Sequence, residues 1–343
     1  MNIEDLVSDF MRHIIHAGPT MTHEKDVKLD ANENSNGSVS GAFYNRFPDP
    51  LQAKLRQAWA DILKIKPENL IIGHGTEQIF DWILKLFIEA HQDTVVYIIP
   101  SACGFERRAK IHGALLKQIP WHPDEDIKAE TIINALTPEV KMAYLMSPND
   151  PIGRPIPESV ICDVAENFGG IIVLNYAYYD FCKLEIDAIR ILEYEKTILI
   201  QTLDYSWGLA GLQLSALVAD SRIISYIESI KNNYNINSIT QSLGLQSLRF
   251  YNEIADWVSK INTQRERMIK HLRVLPFVAK VYPSEANFVL VKFDDSDKVY
   301  RHLLNHDISV ADVSFMYGCE NCLRITVGNN MEIKKLAEVL ELL

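Results

Sequence analysis

Apolar residues return along this chain with two different periods. From residue 94 onward, short β-branched and aliphatic runs at 95–99, 115–119, 141–146, 171–175, 197–203 and 215–218 alternate with segments at 101–112, 129–136 and 159–168 where apolar side chains recur every three or four positions. A run that is apolar at every position is a strand buried on both faces, and the longer repeat is an amphipathic helix. The alternation therefore predicts a mostly parallel sheet covered by helices on both sides. Upstream, Leu6, Phe10 and Ile14 or Ile15 give a helical spacing within residues 1–19. An amphipathic helix is predicted over 51–65, a short buried strand over 69–72, and a long helix from the 73–78 turn through residue 87. Downstream the pattern is helical at 221–234 and 241–275. Short strands at 280–282, 287–292 and 322–326 then mix with helices at 298–305 and 331–342. The expected fold class is α/β, a three-layer α/β/α arrangement on a mostly parallel sheet, followed by a smaller α+β unit. The predicted division is an N-terminal arm or small-domain segment over 1–40, a large α/β domain over 41–225 and a small α+β domain over 226–343.

Composition narrows the function classes. With 343 residues and 48% hydrophobic content the chain can bury one large core or two moderate ones. No apolar run reaches the roughly 18 residues that span a bilayer, and residues 1–16 lack the apolar centre and small-residue cleavage site of a secretory leader. A cytoplasmic protein with no membrane partner is expected. A net charge of -11 and a pI near 5.4, with charges scattered along the chain, argue against a nucleic-acid partner, which needs clustered Lys and Arg. The five cysteines, Cys103, Cys162, Cys182, Cys319 and Cys322, are an odd and sparse set for a disulfide framework. Cys319 and Cys322 have the spacing of half a metal site, but no second pair or histidine accompanies them. They read as packing thiols, and no metal is expected.

Two glycine turns carry the candidate chemistry. Gly73-His-Gly-Thr-Glu-Gln78 leads a strand into a helix N-terminus, a general cradle for anions because free N–H groups and the helix dipole point outward. His74 reads there as a turn residue. The third glycine of a dinucleotide fingerprint is missing, which excludes a nicotinamide-dependent oxidoreductase. The second turn lies within Thr202 to Leu214, Thr-Leu-Asp-Tyr-Ser-Trp-Gly-Leu-Ala-Gly-Leu-Gln-Leu, directly behind the apolar run at 197–200.

Together with Lys28-Leu-Asp-Ala-Asn-Glu-Asn34, Tyr44-Asn-Arg-Phe-Pro-Asp-Pro50, Ser147-Pro-Asn-Asp-Pro-Ile-Gly153, Ala177-Tyr178, Ala286-Asn-Phe288 and Leu323-Arg-Ile-Thr-Val-Gly328, this loop resembles the fold-type I, pyridoxal-phosphate (PLP) dependent aminotransferases, closest to the histidinol-phosphate aminotransferase branch. The resemblance covers nearly the whole chain. It implies the PLP-transferase fold, an N-terminal segment that packs back on the small unit, and a homodimer in which each site draws on both subunits. It also places the former cofactor positions at Gly75, Thr76, Ala102, Asp150, Asn175, Tyr178, Asp204, Tyr205 and Gln213, and puts Arg324, Asn32 and Asn34 along the substrate cleft.

Against that pattern the side chains depart. The family's Schiff-base lysine is Tyr205 here, and no lysine lies between Lys196 and Lys231. The carboxylate that holds the ring nitrogen's proton is Asn175, the asparagine that donates to the ring oxygen is Asp150, and the ring-stacking tyrosine is Ala102. The phosphate-binding serine and arginine are Asp204 and Gln213, and the tyrosine that reaches across the dimer is Phe47. The pocket is thereby roughly three units more negative than the family's, at about 4 kcal/mol per contact pair of like charges for an effective dielectric near 20. PLP is therefore not expected to bind, and no cofactor is expected. Arg324 keeps the position that grips a substrate α-carboxylate. Facing an acidic wall, it suits an amino-acid-like molecule bearing a carboxylate and an amine. Three readings stay open: a pseudoenzyme or scaffold that binds such a molecule, a PLP-independent enzyme with Tyr205, Tyr178, Asp204 and Asp150 as candidate catalytic groups, and an aminotransferase that holds PLP or its amine form without a covalent bond.

Overall fold

A computed structural model of the chain describes residues 2–12, 27–102, 104–182 and 188–343. Seven strands, β1 (Leu70–His74), β2 (Thr94–Ile99), β3 (Leu115–Pro120), β4 (Val140–Met146), β5 (Ile171–Asn175), β6 (Thr197–Thr202) and β7 (Leu214–Val218), form one sheet in the order β1-β7-β6-β5-β4-β2-β3. The pairs β3 with β2, β2 with β4, β4 with β5 and β5 with β6 are parallel. Only β7 runs against its neighbours β6 and β1, because the tight 203–213 loop returns the chain beside β6 as a hairpin rather than through a helical crossover.

Every residue of β5 and β7 is buried, as a sheet covered on both faces requires. On one face the helices Gly75–Phe87, Phe105–His112 and Ser221–Ile230 contribute Phe80, Ile83, Phe105 and Ile223 to a core with Tyr97, Tyr144 and Val173 of the sheet. On the other, Ala53–Leu63 and Glu158–Asn167 contribute Leu55, Trp59, Ile161 and Val164. Each such side chain stabilises the fold by about 1.5–3 kcal/mol relative to exposure. Layers and element order follow the hydrophobic pattern.

A second sheet, β10-β11-β9-β8, is built from β8 (Val278–Val281), β9 (Phe288–Phe293), β10 (Ala311–Asp312) and β11 (Cys322–Thr326), all antiparallel. Helices Tyr251–Leu272, Ser296–Asn305 and Asn330–Leu340 bury Met268, Leu303 and Leu336 against it. Arg324 sits in the middle of β11, opposite Leu290 of β9 and Ala311 of β10.

Several boundaries differ from the sequence reading. The helix predicted over 241–275 is two, Ser238–Leu248 and Tyr251–Leu272, turned at residues 249–250 without a glycine or proline to mark the break. The first of the two lies close on Ala53–Leu63; a Cβ on Gly244 would meet Leu214 at 2.5 Å and Leu55 at 3.2 Å. The helix predicted from 101 begins at Phe105, since Ala102 donates its N–H to the Asp150 carbonyl (2.8 Å). The two-residue β10 is too short for any periodicity. Residues 1–19 include two short helices, Ile3–Leu6 and Asp9–Arg12, and the rest of that predicted helix lies outside the described residues. No described helix is long and apolar enough to cross a membrane.

Candidate active-site cleft

The turns after β4, β5 and β6 lie at the C-terminal ends of parallel strands, where open α/β sheets gather their ligand groups. After β4, the 147–153 turn is pinned from within. Asn149, fully buried, donates to the Pro100 carbonyl (3.1 Å) and accepts from Ile152 N–H (3.2 Å), while Ser147 Oγ accepts from Ile156 N–H (2.9 Å). Gly153 closes it at φ +80°, where a Cβ would lie 2.5 Å from Ser284 Oγ. The turn thereby holds Asp150 with its side chain 6% exposed.

Arg324 reaches Asp150 from β11. Its Nη1 donates to Oδ1 and, at 2.5 Å, to Oδ2, and Tyr178 Oη donates to Oδ2 at 3.0 Å. The guanidinium carbon lies 5.5 Å from the centre of the Phe288 ring. Burial works against the charge of Arg324, yet Asp150 more than offsets it and the net shift is upward. Tyr178 packs edge-on to Phe288 (5.1 Å) and stacks on Tyr205 (4.4 Å, 25°). Burial, then the Asp150 charge, pushes the Tyr178 hydroxyl well above the ordinary tyrosine range; burial also raises Tyr205, whose side chain is the most open of the group. Both phenols are neutral hydrogen-bonding groups at physiological pH.

The sheet end is closed by Asn175, whose Nδ2 donates to Tyr144 Oη (2.8 Å) and whose Oδ1 accepts from Ala177 N–H (3.1 Å). At the helix end, Gly75 at φ +71° opens the Gly75–Phe87 helix, and a Cβ there would sit 2.9 Å from Gln213 Oε1. The Gly75 N–H donates to the Gln213 carbonyl (2.6 Å) and the His74 N–H to Gln78 Oε1 (2.8 Å). The N–H groups of Thr76 and Glu77 begin the first turn, where no intrahelical acceptor exists. Asp204 stands on the 203–213 loop, its backbone N–H bonded to Thr202 Oγ1 (3.2 Å) and its Oδ1 buried without a hydrogen-bond partner. Burial raises its pKa, with Thr202 and His74 opposing.

Of the sequence-selected residues, the structure brings Asp150, Tyr178, Tyr205 and Arg324 into one contact network. Ala102 touches it through its N–H to the Asp150 carbonyl, and Gly75 and Gln213 meet each other. Asn32 and Asn34 are exposed, with Asn34 committed to its own loop and to Asn45 Nδ2 (2.9 Å). Glu33 ties that loop to Arg46 (2.6 Å) and the Phe47 N–H (2.6 Å). Sequence reasoning passed over Tyr144, the buried partner of Asn175, and Asp180, whose carboxylate takes a hydrogen bond from Ser206 and whose pKa burial raises. A lone aspartate in the apolar Tyr178-Tyr-Asp-Phe181 stretch was the available signal. Cys319 and Cys322 are both buried, their thiols pushed up to about 12 by desolvation, and no metal-binding group of three or more His, Cys, Asp or Glu occurs among the described residues.

The sequence model of the family described as aminotransferase class I and II matches residues 21–341. The chain belongs to that family. Histidinol-phosphate aminotransferase of Flavobacterium psychrophilum is 33% identical over 349 residues, spanning 100% of this chain and 99% of the relative. That of Flavobacterium johnsoniae is also 33% identical, over 92% of this chain and 89% of the relative. Among solved structures, histidinol-phosphate aminotransferase of Clostridium acetobutylicum superposes with a TM-score of 0.80 at 21% identity, covering 87% of this chain and 90% of the other. The Sinorhizobium meliloti enzyme, in complex with pyridoxal-5'-phosphate, also gives 0.80, at 22% identity and covering 91% of this chain and 90% of the other. The fold of this aminotransferase-family chain is thus the PLP-transferase fold.

These relatives overturn the expectation that no cofactor is used. They are aminotransferases by name, one is a complex with the cofactor, and they point to PLP. The charge count overstated the case against it, because it set Asp150 as a free negative charge whereas Arg324 neutralises it, and because burial favours the neutral form of Asp204. The residues of this family member fit the group in part. The helix opening at Gly75 suits a phosphate and Tyr178 is a buried phenol beside the cleft, whereas the 202–214 loop offers no amine for a covalent bond.

Proposed function

We propose that this protein acts on an amino-acid-like substrate bearing a carboxylate and an amine, with PLP or its amine form held by non-covalent contacts alone. When bound, the cofactor supplies an electron sink for the substrate's α-carbon. The Thr76 and Glu77 N–H groups at the helix opening would take its phosphate, and Tyr178 would bound its ring. The single observation that carries the reading is Tyr205, a phenol stacked on Tyr178 (4.4 Å) in the loop where the resemblance puts the family's lysine. A phenol cannot condense with an aldehyde to give a Schiff base. The Arg324 guanidinium, a quarter exposed beside Asp150, is the group for a substrate carboxylate.

Absorbance between about 330 and 430 nm after addition of PLP, followed by borohydride treatment and peptide mapping, tests this. A bound band that dialysis removes and borohydride leaves unattached is the expected result. No band, or reduced cofactor fixed to a lysine such as the buried Lys231, overturns it.

A second reading is favoured by the Asp150–Arg324 ion pair, which ties the two sheets together across the cleft: the same cleft binds its ligand without turning it over. Turnover by mass spectrometry separates the two. We also propose a homodimer whose interface includes the exposed Phe47–Tyr234 stack (4.6 Å); light scattering checks it.

A further inference from the structure

An open cavity of about 1190 Å³ lies between the turns after β5 and β6, the C-terminal end of helix Ala53–Leu63 and the first half of helix Tyr251–Leu272. None of Asp150, Tyr178, Tyr205 and Arg324 lines it, whereas their chain neighbours Tyr179, Asp180 and Trp207 do. Its walls are aromatic. Tyr179 stacks on the buried Tyr176 (5.5 Å, 22°) and Trp207 on Tyr251 (6.2 Å, 25°), and Tyr179, Trp207 and Tyr251 keep part of their surface open. Asp180 is exposed into the same space, its Oδ2 accepting from Ser206 Oγ, and no cationic side chain among the described residues pairs with it. Desolvation by the surrounding protein raises its pKa, with only the Ser206 hydroxyl opposing. Exposed yet poorly hydrated, the carboxyl group faces a cavity rather than bulk water. The two cationic residues of the wall do not answer it: Arg265 is 1% exposed and spends Nη1 on Asn262 Oδ1 (2.8 Å) and the Ala286 carbonyl (2.9 Å), and the exposed Lys64 makes no ion pair among the described residues. Arg265 Nε is itself buried without a hydrogen-bond partner, so the same wall holds a second unmatched polar group. Folded proteins leave few of these.

We propose that this cavity is a second ligand site, separate from the cleft, for a flat aromatic molecule that carries a protonated amine, its ring against Tyr179, Trp207 and Tyr251 and its ammonium on Asp180. Large cavities walled by aromatic rings around a few polar groups are the usual form of a small-molecule site. An ammonium supplies the counter-charge that Asp180 lacks, and the electron-rich faces of tyrosine and tryptophan attract the same charge. A neutral analogue gains the ring contacts alone. An anionic analogue meets an uncompensated carboxylate. None of the cleft's groups takes part, so the site stands or falls apart from the cofactor and the substrate bound there.

Calorimetric titration of the protein as purified with three matched probes tests this: tryptamine, its neutral counterpart indole-3-ethanol and the anion indole-3-acetate. Tryptamine is expected to bind about tenfold or more tighter than either of the others. Asp180→Asn, close to isosteric and with a thermal midpoint near the parent's, should bring tryptamine down to the level of the alcohol and leave the alcohol unchanged. Trp207→Ala should weaken both. Equal binding of the three probes by the unaltered protein, tightest binding of the acid, or no binding at all overturns the inference, and none of these measurements needs a variant to fold. A preference for tryptamine that survives Asp180→Asn overturns it also, because the amine would then sit elsewhere, such as beside Asp150 in the cleft.

Discussion

Asp150 and Asp204 both stand in loops at the C-terminal ends of parallel strands, four residues past β4 and two past β6 with β5 between them, and they are opposites in their surroundings. Asp150 is paired: Arg324 and Tyr178 saturate most of its acceptor sites, and the contact joins the seven-stranded sheet's turn to the middle of β11. Asp204 has a buried oxygen with no partner, and burial tilts it toward its neutral form. A carboxylate's place in the chain does not fix its role; what faces it does. The first is part of the scaffold, because removing it strands a cation. The second is a reserve, an acceptor in the ionised form or a donor in the protonated form, beside a helix N-terminus built for anions.

The sharpest way to break the contrast is Asp150→Ala. It leaves Arg324 without its counter-charge and Tyr178 Oη without its acceptor, and is expected to cost about 2–3 kcal/mol, discounted from a fully buried pair because Arg324 is a quarter exposed. The check is a drop of several degrees in thermal midpoint by calorimetry. Arg324→Ala should cost a similar amount, and the double variant less than the sum, since the two share one contact. Strict additivity would show that the pair does not bridge the sheets energetically.

Much of this could be read before any coordinates, and the reasons for the remainder are physical. Strands buried on both faces, such as β5 and β7, write themselves as unbroken apolar runs, so the sheet and its helical cover were legible. The cleft residues Asp150, Tyr178, Tyr205 and Arg324 were legible as departures from a resembling pattern at fixed loop positions. Their pairing was not, because a contact between residues 174 positions apart leaves no local trace. Counting charges without pairing them is what turned Asp150 into an argument against PLP. The break at residues 249–250 escaped for another reason: neither Arg249 nor Phe250 is a glycine or proline, so no residue at the break announces it.

The helix end around Asp204 gives the next effects in size. Gly75→Ala forces a Cβ into a backbone at φ +71° and to 2.9 Å from Gln213 Oε1, an amide that can swing aside. The strain is expected to cost about 1–2 kcal/mol. Weaker retention of inorganic phosphate by the variant should accompany the lowered thermal midpoint, and a variant that melts lower but holds phosphate as before would separate strain from binding.

Asp204→Asn sharpens the contrast through pH. A carboxyl group whose folded-state pKa is raised supports the fold fully below its unfolded value, about 3.9, and that support is lost as pH rises through the folded value. The amide has no charge to desolvate. The variant is therefore expected to melt roughly one or two degrees above the parent at pH 7, with the gap closing toward about pH 4. A gap that widens toward acid would mean that Asp204 is held ionised by a partner.

Tyr205→Phe should have the smallest effect, and the reason separates ring from hydroxyl. The stack on Tyr178 at 4.4 Å belongs to the ring, which phenylalanine keeps, and Tyr205 is 38% exposed, so little buried polar area changes. A stability change within about 0.5 kcal/mol is expected, read as a thermal midpoint that barely moves. Because the phenol cannot bond covalently to PLP in the parent either, the variant's absorbance band with added PLP should also match it. A large loss of either would place the Tyr205 hydroxyl among the groups that hold the cleft together, alongside Asp150 rather than at its margin.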